Sequence, residues 1–113
     1  MSTIDVNGLK QLSGDDQKFV NDILKLYTER TTIDLSELEK AREASDWSKV
    51  RFVIHRMRSS AVPLGLKELV VLLRKVENKL KSDVVDGVNS EIEEITRHSR
   101  EALKDAKIQL ELA

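Results

Sequence analysis

Between Trp47 and Gly65 the chain reads WSKVRFVIHRMRSSAVPLG, and the spacing of its apolar residues decides the fold. An α-helix turns by about 100° per residue. On that wheel Val50, Val53, Ile54, Met57, Ala61 and Leu64 share one side, which predicts an amphipathic helix with a single buried face. Pro63 lacks a backbone donor and Gly65 frees the backbone, so the helix ends or distorts there. His55 lies roughly 150° from the mean apolar direction and points outward.

Similar patterns extend on both sides. Upstream, a short helical turn is expected from Val6 to Leu12, closed by Ser13-Gly14, with Asp15 and Asp16 capping the next helix. Phe19, Ile23, Leu26 and Tyr27 then recur at helical spacing, and Leu35, Leu38, Ala41 and the stem of Arg42 continue the stripe. The run Thr31-Thr32-Ile33 is β-branched and leaves open whether this is one bent helix or two. A helix ends near Ser45, and Asp46 caps its successor. Downstream, Leu69, Val70, Leu73, Val76 and Leu80 face inward on a helix from Leu66 to about Lys81. Asp86-Gly87 marks a turn before a last helix carrying Val88, Ile92, Ile95, Ala102, Leu103, Ala106 and Leu110.

These segments predict an all-α fold, an antiparallel four-helix bundle with a short N-terminal helical segment. A single domain is expected over 1–113, with the N-terminal segment at 1–14 and main helices at 15–45, 46–64, 66–81 and 87–112. No strand alternation, internal repeat or low-complexity tract divides it. The length of 113 residues supports one core, not a catalytic domain beside a nucleotide-binding one. With 40% apolar and 35% charged residues the composition is that of a folded helical protein. A net charge of −1 argues against general nucleic-acid binding. The absence of Cys removes disulfides and thiolate chemistry. No stretch approaches the roughly 18 apolar residues of a membrane span, and Met1 to Leu12 lacks a signal-peptide pattern. A cytoplasmic protein is expected.

Helical spacing places Arg51 one turn before His55, and Arg58, Ser59 and Val62 after it on the same face, with Phe52 at the edge. A neutral imidazole nitrogen accepts a phosphoryl group near neutral pH, and neighbouring positive charge favours that form. Guanidinium groups can then hold the phosphoryl oxygens. Taken alone, an exposed histidine among arginines is an ordinary solvated surface residue. Phe52 and Val62 add apolar area to a charged face, as docking surfaces do.

The stretch Ile54-His55-Arg56-Met57-Arg58-Ser59-Ser60-Ala61-Val62-Pro63-Leu64-Gly65, followed by Leu69, Leu73 and Glu77, resembles the signature of histidine-containing phosphotransfer (HPt) domains. Phe19, Tyr27, Thr31, Leu35, Leu38, Ala41 and Asp46-Trp47 fit the family's preceding helix and acidic turn. The likeness covers roughly Gly8 to Leu80; the last helix agrees only in length and amphipathicity. The resemblance implies that His55 is the phosphoacceptor and Arg58 the basic residue accompanying the phosphoryl group. Arg51, Phe52, Ser59 and Val62 are expected to contact the partner. Ser59 stands where the family usually has Gly, and Glu77 where some members have a polar amide.

The implied function is a phosphoryl relay between receiver-domain aspartates in a multistep two-component pathway. The implied partners are response-regulator receiver domains and a hybrid or sensor histidine kinase. No Gly-rich phosphate loop is present, so this is a carrier without its own ATP site, not an enzyme. No cofactor is expected; Mg²⁺ belongs to the receiver. The alternative is an interaction module on the same bundle that binds receiver or kinase domains without being phosphorylated. A metal site is a weak third reading, because His98 falls on another helix, as a boundary or surface residue. The acidic and basic runs of the second and last helices read as solvated faces, and the apolar stripe of the last helix can be used within a monomer.

Overall fold

Aspartates set where the first three helices begin. In the computed structural model, which describes residues 3–112, α1 spans Val6–Ser13, and the Asp5 side chain accepts a hydrogen bond from the Gly8 N–H (2.9 Å). The expected segments 1–14 and 1–113 therefore extend beyond the described residues at Met1, Ser2 and Ala113. α2 spans Gln17–Glu43 and starts at Asp16, whose carboxylate accepts from the N–H groups of Lys18 and Phe19. α3 spans Trp47–Ala61 and starts at Asp46, which accepts from Lys49 N–H. Each cap satisfies amides that have no partner within the helix.

Pro63 and Gly65 act where expected: α3 gives way to a 3₁₀ turn, Val62–Leu64, and Gly65 closes it in the left-handed region at φ 66°. α4 continues the chain over Lys67–Lys81, and α5 spans Val88–Leu112. No strand occurs among the described residues. The β-branched run leaves α2 as one helix. Thr28 and Thr32 donate their hydroxyls to the carbonyls of Leu24 and Thr28, one turn back, while Thr31 turns inward and is buried.

The four long helices pack in a ring: α2 on α3, α3 on α4, α4 on α5, and α5 back on α2. α1 lies against α2 and the 3₁₀ turn. The N-terminal segment is tied at two points, Ile4 N–H donating to Asp105 Oδ2 and Asp5 N–H to the Leu64 carbonyl, both at 2.9 Å. On α3 the whole expected set is buried: Val50, Val53, Ile54, Met57 and Ala61, with Leu64 beyond its end. On α4 it is Leu69, Leu73, Val76 and Leu80, with Val70 only half-buried. Full burial of the Val, Leu, Ile and Met side chains among them stabilises by about 1.5–3 kcal/mol each.

The stripe on α2 differs from its expected phase. Val20, Leu24, Tyr27, Thr31, Asp34, Leu38 and Ala41 are buried, whereas Phe19 and Leu26 remain 43% and 45% exposed. Two inward positions carry polar residues, so tracing apolar side chains alone slides the stripe to the adjacent face. The buried Asp34 is matched from α3, where Arg56 Nε donates to its Oδ1 at 2.8 Å, and Arg56 also pairs with Glu37. Burial raises the Asp34 carboxyl, with Arg56 opposing. His98 is a second correction. It is buried on the α5 stripe with Ile95 and Ala102, its Nδ1 4.0 Å from Glu68 on α4, rather than at a boundary or surface.

Candidate functional site

His55 sits in the middle of α3, with its side chain 57% exposed. Its Nδ1 lies 2.7 Å from Oε2 of Glu77, a buried residue on α4. An ionised carboxylate can only accept, so Nδ1 carries the proton and donates. In the neutral ring that hydrogen bond fixes the Nδ1–H tautomer, with the lone pair on Nε2. Nε2 has no hydrogen-bond partner among the described residues.

Glu77 organises the cations around it. Its Oε1 lies 2.9 Å from Arg58 Nε, and Lys81 Nζ lies 4.0 Å from its Oε2. Burial pushes the Glu77 carboxyl up, but the His55 hydrogen bond and the charges of Arg58 and Lys81 together hold it below the ordinary carboxylate range. Near neutral pH it is a carboxylate. Arg58 Nη2 is also 3.2 Å from His55 Nδ1, yet two donors cannot bond each other, so Arg58 is held by Glu77. Helical spacing places arginines beside His55; its immediate partner is an anion from another helix.

Beside the imidazole lies an open cleft of about 430 Å³ lined by Ser48, Arg51, Phe52, His55, Glu77 and Lys81. Arg51 and Phe52 therefore join His55, as helical spacing predicts. Phe52 is 58% exposed, with Lys49 Nζ and the Arg56 guanidinium 5.6 and 5.4 Å from its ring centroid. Ser59 and Val62 sit apart from this cleft. The Ser59 hydroxyl donates to the His55 carbonyl at 3.2 Å, and its side chain lines a second cleft with Tyr27, Arg30 and Arg56. Val62 is exposed on the 3₁₀ turn.

The resemblance marks Glu77 only as a departure from an amide, helical spacing does not assign it to His55, and neither singles out Lys81. A signal for Glu77 existed. It continues the buried stripe of α4, one turn after Leu73, and an acid on such a stripe needs a partner. Nothing comparable marks Lys81, because its relevance depends on how α4 lies against α3. Among the described residues no three His, Asp or Glu side chains converge as metal ligands would. No helix there is long and apolar enough to cross a membrane.

No curated protein and no solved structure matches the chain. The sequence pattern of the Hpt domain does match, over residues 22–111, from the second turn of α2 to the end of α5. The match omits α1 and includes the last helix, which the signature around His55 does not reach. An exposed histidine mid-helix, its tautomer set by a buried carboxylate, lies within that match. The chain belongs to the Hpt domain family, the phosphocarrier modules of histidine phosphotransfer in two-component signalling.

Proposed function

We propose that His55 accepts a phosphoryl group from a receiver-domain aspartyl phosphate and later passes it to an aspartate on another receiver. The observation that carries this reading is the pairing of an exposed imidazole with a buried carboxylate at Nδ1 (2.7 Å), which leaves the Nε2 lone pair free. The Nε2 lone pair attacks phosphorus, the N–P bond forms, and the bond from phosphorus to the aspartyl oxygen breaks. The aspartate leaves as a carboxylate with the electron pair. The ring gains positive charge, and its Nδ1–H faces Glu77, which offsets that charge. Arg58, whose Nη2 lies 3.2 Å from the ring, accompanies the phosphoryl group once it is in place.

Transfer of this kind depends on positioning and charge more than on further chemistry from the carrier. The receiver supplies the acidic pocket and its Mg²⁺, and this chain supplies the nucleophile and the docking face. Arg51, Phe52, Ser59 and Val62 are the proposed partner contacts, with Phe52 and Val62 as exposed apolar points on it. The proposal includes an up-and-down antiparallel bundle, a monomer and a cytoplasmic setting shared with receivers. Short turns between consecutively packed helices support the first of these.

Incubation with phosphorylated receiver domains is the test. Label is expected to move to this chain and to be absent from His55→Gln. Label that persists in His55→Gln refutes the assignment. Partner binding that survives His55→Gln, with no acid-labile phosphate ever found on the wild type, supports the interaction module instead.

A further inference from the structure

The side chains available to a phosphoryl group at Nε2 are unevenly arranged around His55. Arg58 is engaged by Glu77 through Nε at 2.9 Å, and it does not line the cleft beside the imidazole. That cleft is lined on its cationic side by Arg51 and Lys81. Arg51 makes no ion pair among the described residues, and Lys81 is held only loosely, at 4.0 Å from Glu77 Oε2. The hydroxyl-bearing Ser48 lines the same cleft. Glu77 thus pairs with two cations, Arg58 and Lys81, and Arg51 adds a third beside the same cleft. A phosphoryl group brings about −1.5 to −2 charge, for which Arg51 and Lys81 are the cations lining that cleft.

We infer that Arg51 and Lys81 form an anion seat for the phosphoryl group in the cleft on the Ser48 side of His55, with Lys81 turning from Glu77 to the phosphoryl oxygens. This inference rests on His55 being the acceptor and adds a positioning residue from α4 to those on α3. Lys81 has the reach for it. It is half-exposed, and the carboxylate oxygen it approaches is the one bonded to His55 Nδ1.

Phosphoramidate, a small donor, tests this without a partner protein. The Nε2 lone pair attacks its phosphorus, the N–P bond forms, and ammonia leaves with the electron pair of the broken bond and a proton. The phosphorylated protein is then titrated by ³¹P NMR. In Lys81→Ala the pH midpoint of the phosphoryl signal is expected to rise by about half a unit, since a cation a few ångströms away favours the dianion. Arg51→Ala is expected to act in the same direction, and Lys81→Arg to restore the wild-type midpoint. An unchanged fold is checked by helical circular dichroism. Wild-type midpoints in both Lys81→Ala and Arg51→Ala, from proteins that label normally, overturn the seat and leave the acceptor in place. Absence of label on wild-type His55 overturns the acceptor, and the seat with it.

Discussion

Replacing Glu77 with Gln keeps the shape of the side chain and removes its charge, isolating the electrostatic part of its action on His55. The carboxylate lies 2.7 Å from Nδ1, so its charge is centred about 4 Å from the middle of the ring. At an effective dielectric constant near 20, a full charge on the ring would gain about 4 kcal/mol from it. Only about half a charge develops in the transition state, and the ring is 57% exposed to screening water. What remains is about 1–2 kcal/mol, or roughly 5- to 30-fold in rate. The assay is the initial rate of phosphoramidate labelling near pH 8, read by intact mass. A Glu77→Gln rate within twofold of wild type refutes the reasoning. The same pair of proteins tests stability against pH. The folded Glu77 value lies below its ordinary 4.5, so its ionisation stabilises the fold fully above that value. This contribution is lost as pH falls through the lower folded value. The stability advantage of wild type over Glu77→Gln is therefore expected to shrink on acidification below about pH 4.5; an advantage that is constant or growing there contradicts the sign.

Three further perturbations have defined outcomes. Gly65→Ala puts a methyl group 2.8 Å from Asp5 Cβ at φ +66°, and should lower stability by about 1–3 kcal/mol in thermal melts; a smaller loss in the Asp5→Gly background identifies the clash. Arg56→Met leaves the buried Asp34 without its cation and should cost about 2–4 kcal/mol in urea unfolding. In Arg56→Met with Asp34→Leu that loss is expected to be largely recovered. Ser59→Gly should leave phosphoramidate labelling of His55 within about twofold while destabilising by about 0.5–1 kcal/mol, because Ser59 bonds to the backbone and lines a different cleft. A large gain in labelling would show that its bulk obstructs the imidazole.

Much of this architecture is legible in the sequence because α3 and α4 obey one rule. Their apolar residues sit on one stripe, so Val50 to Leu64 and Leu69 to Leu80 place themselves, and the outward angle of His55 comes with them. The same rule fails on α2, where Thr31 and Asp34 occupy inward positions, and on α5, where His98 does. Each is a polar group whose burial depends on a neighbour from another helix, such as Arg56 for Asp34. The site divides in the same way. Arg51, Phe52 and Arg58 lie near His55 through spacing on one helix, whereas Glu77 and Lys81 reach it only through the packing of α4 on α3. Periodicity within a helix carries no information about that approach.

Whether His55 carries the phosphoryl group between receivers is measured most directly with ³²P. A phosphorylated receiver domain is mixed with this chain, and a second, unlabelled receiver is then added. The expected result is an acid-labile, alkali-stable label on wild type that moves to the second receiver, with none on His55→Gln. Label of equal extent on His55→Gln, or a wild-type protein that binds receivers and never takes up phosphate, contradicts a relay through His55.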